Sequence, residues 1–172
     1  MQRREFLLHA GAAAGMLLLA GRRVFARPVN KSLKFTRLRK SKTEWRKLLP
    51  LGAYKVLFEA DTEPPHSSPL NKETRKGTFI CAACYLPLFQ SQAKYHSGTG
   101  WPSFYQCIPD RVETRLDFSL IIPRTEYHCA RCGGHQGHLF DDGPPPTGKR
   151  YCNNGLALNF VPDDQSLPSL RT

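Results

Sequence analysis

At 172 residues the chain has room for one domain with a modest core. A net charge of +11 would point to nucleic acid, but residues 1–50 hold 13 Lys/Arg and 2 acids, whereas residues 51–172 hold 12 of each. The excess sits ahead of a neutral domain, which argues against nucleic-acid binding as the main activity.

The first 26 residues read as an export signal. Arg3-Arg4 precedes Phe6-Leu7, and a mostly apolar run follows from Leu7 to Ala20, broken only by His9. A bilayer needs roughly 20 apolar residues, so this run suits a signal core better than a spanning helix. The twin arginines resemble a twin-arginine (Tat) signal, and Val24-Phe25-Ala26 offers a cleavage point after Ala26. An uncleaved anchor is the competing reading. Residues 27–40 form a basic linker, either a solvated leader or an arm that touches anionic surfaces.

The domain is expected over residues 41–165, with a C-terminal tail over 166–172. Ser41 and Glu44 have capping-box spacing, which predicts a helix from Lys42 to about Leu49, closed by Pro50 and Gly52. Thr62–Leu70 is turn-rich. From Gly77 onward strand patterns dominate: 78–80, 86–89, 111–122, 125–128, 150–152 and 156–161. Val112, Thr114, Leu116, Phe118 and Leu120 alternate with polar neighbours, the mark of a half-buried antiparallel strand. Gly143–Gly148 is a loop. The expected class is mainly β, with short helices ahead of the sheets.

Six cysteines divide into four and two. Cys81-x-x-Cys84 and Cys129-x-x-Cys132 are separated by 44 residues, and two such knuckles supply four thiolates to one zinc ion. Four sulfurs leave no open position for water, so the site reads as structural. Two disulfides are the alternative. Export after folding fits the metal reading, because thiolates loaded in a reducing compartment leave closed.

Cys107 and Cys152 remain. Arg150, Cys152 and Asn154 alternate along a predicted strand and would share one face. A guanidinium beside a thiol favours the thiolate. His135 and His138 offer acid–base groups near neutral pH. Against this stand a buried, inert Cys152 and histidines that serve a turn or a second metal.

Three separated segments then carry a specific resemblance. Ser97-Gly98-Thr99-Gly100-Trp101-Pro102-Ser103-Phe104, His135-Gln136-Gly137-His138-Leu139-Phe140-x-Asp142-Gly143-Pro144 and Gly148-x-Arg150-Tyr151-Cys152-x-Asn154 resemble, in order, the signatures of the B-type methionine-R-sulfoxide reductases. Thr62-Glu63-Pro64-Pro65 is similar to that family's entry segment. The resemblance covers about residues 43–162. It implies a small barrel-like, zinc-containing domain and a Cys152 nucleophile that attacks the sulfoxide sulfur and becomes a sulfenic acid. It implies that Trp101, with Phe104 in the same motif, receives the substrate methyl, and that His135 and His138 bond the sulfoxide oxygen. Arg150 and Asn154 would support the thiolate, and Asp142 would orient a histidine. Cys81, Cys84, Cys129 and Cys132 fall where the family holds zinc.

The chain departs from the family pattern at Gly155, at Gln136 and, most consequentially, at Thr99, where many members carry a resolving cysteine. Cys107 is the candidate replacement; the alternative is direct reduction by an external, thioredoxin-like thiol. The reading is thus a periplasmic, thiol-dependent reductase of methionine-R-sulfoxide, free or protein-bound, that repairs oxidised proteins. Nucleic acid is no partner, and the membrane is met only through the N-terminal segment. A non-catalytic zinc module, a Cys/His hydrolase and a zinc hydrolase are the rivals. The first gives Cys152 no purpose, the second gives Trp101 none, and four thiolates disfavour the third.

Overall fold

The computed structural model describes residues 34–119 and 122–172. The signal expected over 1–26 and the first part of the linker lie outside them. No helix among the described residues is long and apolar enough to cross a membrane.

Helix α1 (Lys42–Leu48) starts as its capping box predicts: the Ser41 hydroxyl accepts from the Glu44 N–H, and the Glu44 carboxylate accepts from the Ser41 N–H at 2.7 Å. Pro50 follows the end of α1, as expected, but does more than close it. It starts a second helix, α2 (Leu51–Glu59), because a helix start has no use for the N–H that proline lacks. Ala60, in the left-handed region at φ 56°, ends it. Trp45 stacks on Phe58 with ring centroids 5.0 Å apart, which folds α1 back on α2. Tyr54, Val56 and Leu57 face the core.

Among the described residues nine strands form two antiparallel sheets. The smaller has the order β2 (Pro87–Gln90), β1 (Gly77–Cys81), β9 (Leu158–Pro162). The larger runs β3 (Lys94–Tyr95), β4 (Ser103–Phe104), β8 (Arg150–Asn153), β7 (His135–Phe140), β6 (Arg124–Cys129), β5 (Val112–Asp117). Both sheets are open, so the barrel-like closure is corrected to two sheets packed through a shared core. Aromatic rings do the joining. Phe104 stacks on Phe89 at 4.2 Å and meets Phe79 edge-on at 4.9 Å, while Tyr127 stands edge-on to Phe89 at 6.3 Å. Side chains, not a continuous hydrogen-bond ladder, hold the sheets together.

Strand β5 is shorter than its alternation suggested. It ends at Asp117, and Leu116 and Phe118 are 63% and 69% exposed. Val112 packs on the core, but this edge strand runs past the layer that would cover the rest.

Both ends of the domain are pinned beside the cysteine knuckles. The Leu38 N–H donates to the Arg131 carbonyl at 2.7 Å, and the Arg171 N–H donates to the Cys84 carbonyl at 3.2 Å. The Arg171 guanidinium covers the Tyr85 ring at 4.6 Å. Segments expected as linker and tail therefore both make contacts with the domain.

Candidate active site

The larger sheet lines up one polar residue per strand. Register pairs Tyr95 with Ser103, Ser103 with Cys152, Cys152 with His138, His138 with Glu126 and Glu126 with Arg115. Directly opposed residues share a face, with Cβ atoms about 5 Å apart. Phe104 and Tyr151, paired with each other one position away, point the other way into the aromatic core. The row Tyr95–Ser103–Cys152–His138–Glu126–Arg115 thus occupies the face opposite the core.

Histidines three apart in a regular strand would point to opposite faces. A bulge between Tyr127 and His128 resolves this: Gly137 pairs with Tyr127 but His135 with His128, leaving Gln136 as the extra residue. His135 and His138 end on one face with ring centroids 5.5 Å apart. The bulged residue is tied down, because the Gln136 carbonyl accepts the Asn154 N–H at 2.8 Å and the Asn154 amide at 3.2 Å. Gly137 has no room for a side chain: a Cβ there would lie 1.9 Å from the Cys152 carbonyl oxygen.

Each histidine is backed by a carboxylate, and each carboxylate by an arginine. His135 Nδ1 lies 2.6 Å from Glu126 Oε1, and Arg115 donates to the other oxygen of Glu126. His138 Nε2 lies 2.8 Å from Asp117 Oδ2, which also accepts from Arg124 at 2.8 Å. Burial pushes Glu126 up, but Arg115 and His135 outweigh it and hold the carboxyl below its ordinary value. Asp117 is held lower still, by Ser119 first and then by His138 and Arg124. An ionised carboxylate only accepts, so Nδ1 of His135 is the donor. That leaves its Nε2, buried and without a partner, free for a ligand. Burial lowers the His135 pKa despite the opposing pull of Glu126.

Cys152 is half-buried. Burial raises its thiol above the ordinary value, against the downward pull of Arg150 and of Thr99. Arg150 pulls toward the thiolate, as expected, but desolvation outweighs it in this geometry. Arg150 is held rigidly, since Asp142 accepts from its Nε and a terminal nitrogen at 2.7 and 2.8 Å, and its guanidinium covers Phe140 at 4.1 Å. Asp142 thus orients the arginine and not, as expected, a histidine. Among the described residues, buried Tyr95 Oη at the end of the row also has no partner.

Other expected site residues stand elsewhere. Phe104 is fully buried in the aromatic stack, so it is corrected from substrate contact to core. Asn154 lies beyond the end of β8. Its side chain joins Gln136 to the entry segment by accepting the Glu63 N–H at 3.1 Å, so it braces the bulge instead of flanking the thiol. Trp101 is half-buried, its indole N–H donating to the Glu63 carbonyl at 3.1 Å. Cys107 lies 3.6 Å from the Tyr151 hydroxyl. Tyr151 points to the core side of β8, so Cys107 and Cys152 stand on opposite faces. Glu126, Asp117, Arg115 and Arg124 were not anticipated, and Glu63 only as part of the entry segment. The Glu63 carboxylate accepts the Gly155 and Leu156 N–H groups at 2.7 and 2.8 Å. Acids on separate strands give no local signal; only the register reveals them.

The four knuckle cysteines converge, with Cys81 and Cys132 sulfurs 3.7 Å apart and those of Cys84 and Cys129 3.5 Å apart. All four lie within 4.8 Å of one another. Tetrahedral Zn–S bonds of about 2.3 Å put sulfurs roughly 3.8 Å apart, whereas a disulfide needs about 2.05 Å. The donors fit a single metal ion, and the disulfide alternative falls away, since all six cysteines are free.

A half-buried thiol, two carboxylate-backed histidines and a separate closed sulfur cluster have the makings of a cysteine-based redox enzyme with a structural metal. The SelR domain model matches residues 49–162. Proteins called peptide methionine sulfoxide reductase MsrB are similar to this chain over most of their length. That of Methanosarcina barkeri is 50% identical over 127 residues, 73% of this chain and 89% of its own. That of Leifsonia xyli subsp. xyli is 49% identical over 128 residues, covering 73% and 92%. That of Pseudomonas putida strain W619 is 50% identical over 127 residues, covering 73% and 95%. The chain belongs to the MsrB family.

Proposed function

We propose that the protein reduces the R epimer of methionine sulfoxide in peptides through the thiolate of Cys152. Family membership makes it a methionine sulfoxide reductase; the epimer and the thiol mechanism are the reading the site supports best. The observation that carries it is the register that sets Cys152 opposite His138, with His135 brought to the same face and its Nε2 left unpartnered.

In this reading the Cys152 sulfur attacks the sulfoxide sulfur. The S–O bond transfers its oxygen to the cysteine as that oxygen takes a proton from His135 or His138 in the imidazolium form, which the paired carboxylate supports and which carries a proton on both ring nitrogens. Methionine leaves, and Cys152 becomes a sulfenic acid, oxidised by two electrons. An external thiol then attacks the sulfenic sulfur, releasing water and forming a mixed disulfide. A second thiol restores Cys152 and leaves as the oxidised disulfide. Direct reduction is favoured because Cys107 stands behind β8. Trp101 presents an apolar face for the substrate methyl. Cys81, Cys84, Cys129 and Cys132 hold zinc, which braces the fold and takes no part in the reaction. Export to the periplasm by the twin-arginine route rests on Arg3-Arg4 and the short apolar run after them.

The test is an assay on separated R and S epimers of a peptide-bound methionine sulfoxide, with dithiothreitol as reductant. Consumption of R alone, abolished in Cys152→Ser and retained in Cys107→Ser, is expected. Turnover of the S epimer, or activity in Cys152→Ser, refutes the reading.

A further inference from the structure

Thr99 occupies the place where many family members carry a second cysteine, and its surroundings give it a use. The turn from Ser97 to Gly100 holds Gly98 at φ 78° and Gly100 at φ 95°. Two glycines in the left-handed region flank Thr99 and bring its side chain to the nucleophile, with Oγ1 3.9 Å from Cys152 Sγ. Behind it runs a file of hydroxyls. Thr99 Oγ1 is 2.8 Å from Ser97 Oγ, which is 2.8 Å from Ser103 Oγ. Ser103, fully buried, is 3.2 Å from the Trp101 carbonyl oxygen. The Thr99 N–H also donates to Ser97 Oγ at 3.4 Å.

Each hydroxyl has one proton to donate, so the file has two consistent directions. With a neutral thiol, Thr99 donates to Ser97, Ser97 to Ser103 and Ser103 to the Trp101 carbonyl. All three protons then point away from the sulfur. With a thiolate, Ser103 donates to Ser97, Ser97 to Thr99 and Thr99 to sulfur. No heavy atom has to move, and no hydroxyl loses its donor role.

We propose that Thr99 is a hydrogen-bond donor that, beside Arg150, stabilises the Cys152 thiolate, and that Ser97 and Ser103 are positioning residues whose hydroxyls reverse with it when the thiol loses its proton to solvent. The proposal rests on Cys152 as the reactive sulfur. The position used for resolving in other family members is here a proton-donating one. Other charged or titratable groups facing Cys152 are Arg150 from its own strand, Asp142 through Arg150, His138 from β7, His135 beside it and Tyr95 from β3. None belongs to this file, so its effect is separable from theirs. Burial holds the thiol above its ordinary value, and the Thr99 contact opposes that burial.

The test is the pH dependence of Cys152 alkylation by iodoacetamide in the full chain, read by mass spectrometry on the peptide that contains it. Thr99→Val keeps the shape and removes the donor. We expect its alkylation rate at pH 7 to fall about tenfold, a midpoint one pKa unit higher. Thr99→Ser restores the wild-type profile, and Ser97→Ala falls in between, about threefold slower. A Thr99→Val profile that overlays wild type, or a loss of turnover in that variant with no change in midpoint, overturns the proposal. Activity surviving in Cys152→Ser would instead refute the nucleophile assignment, and the alkylation profile does not depend on it.

Discussion

Gly137→Ala is the most direct perturbation of the strand pairing that builds the site. The new methyl would sit 1.9 Å from the Cys152 carbonyl oxygen, 3.0 Å from its carbonyl carbon and 3.2 Å from the Asn153 Cα. All three are backbone atoms, so no side chain can swing aside. Restoring an ordinary contact of about 3.3 Å requires β7 and β8 to part by roughly 1.4 Å. Overpacking a well-filled interior costs about 1–3 kcal/mol where side chains can adjust; here a backbone ladder must open, and the upper end applies. At roughly 2–4 °C per kcal/mol for a domain of this size, Tm falls by about 6–12 °C. The same separation moves Cys152 away from His138, and a displacement near 1 Å costs about 100-fold in rate. Differential scanning fluorimetry and epimer-resolved turnover, with metal content measured in parallel, check both figures. A Gly137→Ala protein with wild-type Tm and turnover would refute the claim that this glycine is required by the approach of β8.

Removing the metal with a strong chelator should release both chain ends, because Leu38 hangs on Arg131 and Arg171 on Cys84. Limited trypsin digestion then trims both termini faster than in the metal-loaded protein, and elemental analysis should give one zinc per loaded chain. Glu126→Gln removes the carboxylate that supports a proton on His135, so the alkaline limb of the pH–rate profile, where the acid loses its proton, moves to lower pH and turnover at neutral pH falls roughly 10–100-fold. The wild-type fold should weaken in acid as Asp117 and Glu126 protonate. Both carboxyls are held below their ordinary values. Their contribution is full above the ordinary carboxylate range near pH 4 and is lost as pH falls through the lowered values, read as a drop in Tm.

Local chemistry was legible in the sequence and register was not. The capping box at Ser41 and Glu44, the paired knuckles and the first strand of the small sheet all rest on neighbours within a few residues. Pro50 marked the end of one helix but not the start of the next, which a proline also suits. The alternation from Val112 onward predicted a pleat correctly but could not show that the strand lies at an edge. The histidines stood out as acid–base candidates, but their sharing one face did not, since their spacing alone puts them on opposite faces. Glu126 and Asp117 became visible only when strands far apart in sequence were placed side by side. Phe104 and Asp142 sit within motifs, and a motif does not say which of its members face the reacting atoms.

The cross-sheet row has a consequence for how this protein tolerates change. Every strand of the larger sheet contributes one member, so a slip of one residue anywhere turns that member into the core. Catalytic competence is thus an audit of the whole sheet. A chain that folds to nearly the right density with one strand misaligned would be compact, metal-bound and inert. Insertions and deletions should therefore be confined to the connections between strands, and turnover becomes a more sensitive reporter of correct pairing than any measure of compactness.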